Sequence, residues 1–144
     1  MTKESIKHGV LLLLLVLATV LLTACNKSSE EKLGYTQISQ AEAKEMMAKD
    51  DGHVIVDVRR EDEYNAGHIP GAIRVTNEEI GDTKPAELPD LDQIILVYCR
   101  SGRRSKEASE KLAKIGYTNV YEFGGIIDWD GEVVKEVLTD KLRY

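Results

Sequence analysis

Cys99 is the residue of this chain best suited to chemistry, because it follows an apolar run and precedes the polar segment Arg100-Ser101-Gly102-Arg103-Arg104-Ser105. Gly102 allows a tight turn in which successive backbone N–H groups point inward, and such a nest holds anions. A helix that starts behind the turn adds its positive end. The three arginines of residues 100–105 favour the thiolate form of Cys99 in the same way. The segment therefore predicts a nucleophilic cysteine in an anion-binding loop.

Short runs of β-branched residues supply the elements that position this loop. Residues 53–58 form a short β-branched run that carries the carboxylate Asp57, and residues 94–98 form a second apolar run that leads into Cys99. Both predict buried strands of a parallel sheet. Residues 72–75 and 119–122 predict two further strands. Because ligand sites in open α/β sheets lie beyond the carboxyl ends of the strands, Cys99 is expected at the functional edge.

Helices are predicted between these strands. Ser39 followed by Glu42 forms a capping-box pattern that starts one helix. Apolar residues spaced by three and four positions predict a second helix over 105–115, which Gly116 ends. Residues 77–92 predict a short helix followed by a loop. Alternating strands and helices indicate an α/β domain with a parallel sheet of roughly five strands.

The amino-terminal segment has the pattern of a secretion signal. Lys3 and Lys7 precede an apolar-or-threonine run of 13 residues, from Val10 to Leu22. That run is too short for a spanning helix, which needs about 20 residues, but it suits the core of a signal peptide. An uncleaved anchor and an ordinary cleaved signal peptide are the alternatives to lipid attachment.

The segment Leu22-Thr23-Ala24-Cys25 resembles the bacterial lipobox. This resemblance implies cleavage before Cys25, lipidation of Cys25 and attachment of an exported protein to the membrane, since two or three chains anchor durably. The predicted organisation is a signal peptide over 1–24, a lipidated polar tether over 25–34 and one domain over 35–144. The protein would then lie on the cell surface or the periplasmic face of a membrane.

Composition and charge narrow the classes of partner. The net charge is −6, and loss of residues 1–24 leaves 17 basic and 24 acidic residues with a net charge of −7. No basic stripe remains outside residues 100–104, which argues against nucleic acid. Cys99 is the only thiol left if Cys25 is lipidated, and a lone exported thiol indicates reactivity. With only His53 and His68 in the mature chain, no metal site or cofactor is predicted.

Four groups of residues in sequence order resemble the rhodanese family of single-domain sulfurtransferases. The resemblance extends from about Tyr35 to Val134. The groups are Asp57-Val58-Arg59 with Glu63-Tyr64, Gly67-His68-Ile69-Pro70-Gly71-Ala72, Val97 to Ser105, and Gly116-Tyr117 with Val120, Gly124-Gly125-Ile126 and Trp129.

The resemblance implies a three-layer rhodanese-like fold and a catalytic role for Cys99. In that family the cysteine takes the outer sulfur of a donor such as thiosulfate, holds it as a persulfide and passes it to cyanide or a thiol. Arg59 would steer the anion and Asp57 would order the loops, or the two would form a structural ion pair. Thiosulfate is the preferred donor because of the arginines, although Arg100-Ser101 matches the thiosulfate and mercaptopyruvate patterns at one position each.

Two other functions compete with sulfur transfer. Phosphatases of similar fold need a longer loop with an arginine six positions after the cysteine, where this chain has Ser105. The second alternative is a non-catalytic module at the cell surface that binds a partner or senses oxidants through its exposed thiolate.

Overall fold

The computed structural model describes residues 34–135, which form an α/β unit. The predicted signal peptide, the lipidation site Cys25 and the tether up to residue 33 lie outside the described residues, as do residues 136–144. Five strands, three α-helices and a 3₁₀ turn follow one another in the described part: β1 (Thr36–Gln37), α1 (Gln40–Met47), β2 (Val54–Asp57), α2 (Glu61–Ala66), β3 (Ile73–Arg74), β4 (Ile94–Cys99), α3 (Arg103–Ile115), β5 (Asn119–Gly125) and the 3₁₀ turn Ile126–Asp128.

The strands form one sheet in the order β1-β5-β4-β2-β3, and every neighbouring pair is parallel. The prediction of a parallel sheet of about five strands is therefore confirmed. β4 occupies the centre, so both faces of its apolar run are covered. Its last residue, Cys99, reaches the carboxyl edge of the sheet, where the sequence predicted the functional loop.

Successive side chains of β4 pack into two different hydrophobic cores, because strand side chains point alternately to opposite faces of the sheet. Val97 and Cys99 pack in the cluster that Leu112 of α3 completes. Tyr98 packs in the cluster that contains Ala43 of α1. The sheet thus lies between two helical layers. Truncation of the fully buried Leu112 to alanine is expected to cost about 2–5 kcal/mol.

Glycines set both ends of α3. Gly102 precedes the helix with a φ of 94°, and Gly116 follows it with a φ of 116°, both in the left-handed region. The N–H groups of Gly116 and Tyr117 both reach the Leu112 carbonyl at 3.2 Å, as in a glycine-ended helix. The predicted end at Gly116 is confirmed. The predicted start at residue 105 is two residues late, because Gly102 already turns the chain into the helix.

One element predicted within the described residues is absent from the structure. The short helix predicted within 77–92 does not form. That stretch is a series of turns with a single helical bond, from the Ile80 N–H to the Thr76 carbonyl at 3.3 Å. Gly81 follows directly and Pro85 four residues later, and both residue types disfavour continuation of a helix. Among residues 34–135, no helix combines the length and apolar content needed to cross a membrane.

Candidate active site

Cys99 lies at the turn between β4 and α3, and its side chain is only 1% exposed. The backbone N–H of Gly102 points at its Sγ atom from 3.1 Å. This contact requires the chain to reverse within three residues, which the positive φ of Gly102 makes possible without strain. The strand–loop–helix arrangement predicted around Cys99 is present, and its first N–H donor is already directed at the sulfur.

The first turn of α3 adds further donors. Arg103, Arg104 and Ser105 are its first three residues, and within residues 34–135 their N–H groups have no backbone acceptor. Such unpaired donors, together with the helix dipole, favour a negative charge at this end. The loop proper is therefore shorter than predicted, consisting of Arg100, Ser101 and Gly102, and the rest of residues 100–105 belongs to the helix.

A polar cleft of about 340 Å³ opens beside the loop. Cys99 is not among the residues that line it, because its side chain is buried, so the exposed thiolate expected for a redox-sensing module is not present in this structure. Arg100 and Arg103 are exposed at its rim, and Arg103 is 3.9 Å from Glu107 one turn along α3. The cleft is lined by Arg60, Glu63, Glu78, Arg100, Ser101, Arg103 and Arg104.

Arg104 is held by Glu63 of α2 across this cleft. Both nitrogen–oxygen distances of the two-pronged contact are 2.7 Å. The hydrogen bonds from Arg104 hold the pKa of Glu63 at about 2, against the opposing effect of burial. The same contact raises the pKa of Arg104, and the negative charge of Cys99 acts in the same direction. Arg104 is thus close enough to influence the sulfur, with three of its five donors left over.

Ser105 is fully buried, and its hydroxyl faces β5. Its Oγ lies 2.6 Å from Oε1 of Glu122 and 3.0 Å from the Gly102 carbonyl oxygen. A hydroxyl has one proton, and the shorter bond to a carboxylate takes it. The side chain of Ser105 therefore serves the protein interior, and only its backbone N–H is left for the predicted anion-binding role.

Asp57 and Arg59 form a buried ion pair. Asp57 is inaccessible and Arg59 is 5% exposed. The Nη2 atom of Arg59 is 2.6 Å from Oδ2 of Asp57 and also donates to the Gly67 carbonyl at 2.7 Å. The guanidinium carbon lies 5.7 Å from the ring centre of Tyr98. Of the two roles left open for this pair, the geometry favours the structural one, because neither residue lines the cleft.

Gly125 packs directly against the loop that follows Cys99. The register between β4 and β5 shifts after Val97, so that Cys99 pairs with Gly125. A Cβ atom at Gly125 would lie 2.2 Å from the carbonyl oxygen of Arg100. Only glycine permits this approach, and the Ile127 N–H then binds the same oxygen at 3.2 Å. The sequence had marked the glycine pair at 124–125 only as part of a motif.

Comparison with known proteins agrees with this architecture. Residues 39–132 match the family model of the rhodanese-like domain. The chain belongs to that family.

Relatives of known name include thiosulfate sulfurtransferase PspE of Escherichia coli, 37% identical over 51% of this chain and 70% of its own length. Thiosulfate sulfurtransferase GlpE of Pseudoalteromonas translucida is 32% identical over 73% of this chain and 98% of its own. Among solved structures, a rhodanese with anions from E. coli is 36% identical, with a TM-score of 0.53 over 58% of this chain and 98% of its own. A rhodanese-like domain protein from Staphylococcus aureus is 28% identical, with a TM-score of 0.60 over 70% and 98%.

The rhodanese fold gives each predicted site residue a place. Cys99 and the loop 100–102 meet the first turn of α3 at the carboxyl edge of the sheet. Asp57 and Arg59 hold the neighbouring loop at Gly67 without entering the cleft. The sequence did not predict two acidic residues that bind residues of α3: Glu63, which binds Arg104, and Glu122, which binds Ser105. Glu63 stands in a motif of the family resemblance, whereas Glu122 was noted only as the end of a strand.

Proposed function

We propose that this rhodanese-like protein is a sulfurtransferase that moves sulfane sulfur from thiosulfate to a thiophilic acceptor through a persulfide on Cys99. The observation that carries the proposal is the Gly102 N–H, which points at the Cys99 Sγ from 3.1 Å at the positive end of α3. That environment stabilises an anion on sulfur, as thiolate before the reaction and as persulfide after it. The thiosulfate sulfurtransferases among the relatives support the same activity.

The chemistry needs no group beyond the protein and its substrates. The Cys99 thiolate attacks the outer sulfur of thiosulfate, the sulfur–sulfur bond of the donor breaks, and sulfite leaves with its electron pair. Cys99 then carries a persulfide anion. An acceptor such as cyanide attacks the terminal sulfur, takes it as thiocyanate and regenerates the thiolate. The N–H donors of Gly102 and the first turn of α3 compensate the charge at each stage.

Thiosulfate is our proposed donor, because exposed arginines at the rim of the cleft suit its two negative charges better than a donor that carries less charge. Arg100 is exposed on the cleft and has no carboxylate partner among residues 34–135, so its guanidinium is free to bind a sulfonate. Arg103 lies at the same rim, held only loosely by Glu107 at 3.9 Å. The E. coli rhodanese of similar structure was solved with anions, which is consistent with an affinity of this fold for anions.

Thiocyanate formation from thiosulfate and cyanide tests the proposed activity. We expect the purified protein to form thiocyanate with turnover and the Cys99→Ala variant to form none above the uncatalysed rate. No turnover with thiosulfate or mercaptopyruvate, together with reversible oxidation of Cys99 by peroxide, would instead favour a redox-sensing module.

We also propose that the mature protein is exported and anchored to the membrane by lipid on Cys25. The basic leader, the apolar core and the lipobox-like residues before Cys25 support this assignment. Radiolabelled fatty acid should enter the wild-type protein and not the Cys25→Ser variant. Equal labelling of the two proteins would rule out lipid attachment at this residue.

A further inference from the structure

Glu122 is an acidic side chain enclosed behind the Cys99 loop. It lies on β5 and is 3% exposed. Strands rarely bury a carboxylate unless it has hydrogen-bond donors nearby. An oxygen of Glu122 lies 4.0 Å from the position that a Cβ atom at Gly102 would occupy. The carboxylate and the Cys99 sulfur therefore lie close to the same glycine of the loop, which donates to that sulfur.

A bulge in the pairing of β4 with β5 provides the first hydrogen bond to Glu122. Val97 pairs with Glu122 and Cys99 with Gly125, so β5 contains one residue more than β4 between these two pairs. Such a bulge leaves a backbone group without a ladder partner. The N–H of Gly124, which has a φ of 94°, turns back to Oε1 of Glu122 at 2.9 Å. The carboxylate thereby stabilises the bulge that brings Gly125 against the loop.

The second hydrogen bond comes from α3. The hydroxyl of Ser105, in the first turn of the helix, donates to the same Oε1 atom at 2.6 Å. One oxygen of Glu122 therefore joins the bulge in β5 to the start of α3. Gly102, which donates to the Cys99 sulfur, is three residues before Ser105.

We propose that Glu122 is a positioning residue that sets the angle of the Gly102 N–H toward the Cys99 sulfur. With this carboxylate absent, Ser105 and Gly124 lose a shared acceptor, and the first turn of α3 can move away from β5. The Gly102 N–H, which stabilises negative charge on the Cys99 sulfur, is then poorly aligned with that sulfur. This role requires a side-chain oxygen that accepts both hydrogen bonds. The neutral amide of glutamine has the same length and also provides such an oxygen.

The reactivity of Cys99 toward iodoacetamide tests this role, because alkylation reports on the thiolate without requiring a sulfur donor. We would measure the rate at the Cys99-containing peptide by mass spectrometry, on the full chain and far below the melting temperature. Glu122→Ala should slow alkylation about tenfold or more, since small errors of position have large kinetic effects. Glu122→Gln should stay within about twofold of wild type, because its oxygen can accept both bonds.

Two further variants separate positioning from stability. Val120→Ala truncates a buried residue on the same strand, in the core that α3 covers, and should lower the melting temperature without slowing alkylation. Ser105→Ala breaks one of the two bonds to Glu122 and should slow alkylation less than Glu122→Ala; it also gives the answer if Glu122→Ala does not fold.

Four results would overturn the proposal: a wild-type rate for Glu122→Ala, a wild-type rate for Ser105→Ala, a Glu122→Gln protein as slow as Glu122→Ala, or an equal loss in Val120→Ala. The importance of Glu122 for turnover rests on the sulfur transfer proposed above, whereas the alkylation rates do not. A wild-type protein that forms no thiocyanate would therefore refute the function and leave this test intact.

Discussion

Glu63 and Arg104 face each other across the cleft beside Cys99 in a two-pronged ion pair, with both nitrogen–oxygen distances at 2.7 Å. This pair ties α2 to the first turn of α3 and places a positive charge where it acts on the sulfur. It also consumes part of the charge that the sequence had assigned to anion binding. If the protein transfers sulfur as proposed, recognition of the donor is expected to depend more on Arg100 than the sequence alone would suggest.

The Glu63–Arg104 ion pair should make the free energy of unfolding depend on pH in the acid range. The pKa of Glu63 falls from an ordinary 4.5 to about 2 on folding, so its stabilisation is fully present above about pH 4.5 and disappears as the pH falls toward 2. Because both side chains are partly exposed, Glu63→Gln should cost about 1 kcal/mol at pH 7. Urea unfolding at pH 7 and near pH 2 measures the difference, which should vanish in acid. Glu61→Gln, an exposed change on the same helix, is the control, and an equal loss there would contradict the assignment.

Arg100→Ala should raise the KM for thiosulfate. Loss of one charge-assisted hydrogen bond costs about 1.5–3 kcal/mol, which corresponds to an increase of about tenfold or more. Steady-state thiocyanate formation measures it. Lys114→Ala removes one positive charge from the last turn of α3, far from Cys99, and should leave KM unchanged. Equal KM values for Arg100→Ala and wild type would show that Arg100 does not bind the donor.

Arg104→Ala is expected to raise the KM for thiosulfate as well, but through a combined effect. The substitution removes the donors that remain after Glu63 is bound, and it also leaves Glu63 as an unpaired negative charge in the cleft. The double variant Glu63→Gln/Arg104→Ala should recover part of the lost affinity. A KM that is the same in the single and double variants would mean that the charge of Glu63 does not repel the donor.

The buried pair of Asp57 and Arg59 should matter for stability and little for catalysis. Arg59→Ala leaves the inaccessible Asp57 carboxylate without its partner, which is expected to cost about 3–5 kcal/mol. Urea unfolding gives the loss, and the folded fraction should keep the wild-type KM for thiosulfate. A stable Arg59→Ala protein with a raised KM would instead restore the role of an anion-steering cation.

Gly125→Ala should disrupt the active loop, because its Cβ atom would meet the Arg100 carbonyl oxygen at 2.2 Å. Movement of the loop would weaken the hydrogen bond from the Gly102 N–H to the Cys99 sulfur. We expect a loss of thiocyanate formation of about 100-fold in whatever fraction folds. Gly81→Ala is the matched control, since a Cβ there meets nothing within 4 Å, and it should keep full activity. Comparable activity in the two variants would contradict the close approach.

Much of this fold could be predicted from local patterns. The capping box of Ser39 and Glu42 is present at the start of α1, with the Glu42 N–H on the Ser39 hydroxyl at 3.2 Å. The runs predicted as strands at 53–58 and 94–98 became β2 and β4, which pair with each other in the sheet. Short polar elements carried no such signal. β1 has two exposed residues and α2 only six residues, so neither was predicted.

The cysteine loop was predicted better than its supports. Cys99, Gly102 and the arginines are adjacent in the chain, so their meeting needs no tertiary information. Glu63 precedes Arg104 by 41 residues, and Glu122 follows Ser105 by 17. Only the paired strands and helices bring them together. An acidic residue between the apolar Val120 and Phe123 was a weak sign that β5 buries a carboxylate.

The mass of Cys99 after exposure to thiosulfate tests the central claim most directly. The intact protein should gain one sulfur atom, the gain should map to the Cys99 peptide, and cyanide should remove it with release of thiocyanate. The Cys99→Ala variant should gain none. An unmodified Cys99 after saturating thiosulfate, in protein whose Cys99 still reacts with iodoacetamide, would contradict the persulfide account.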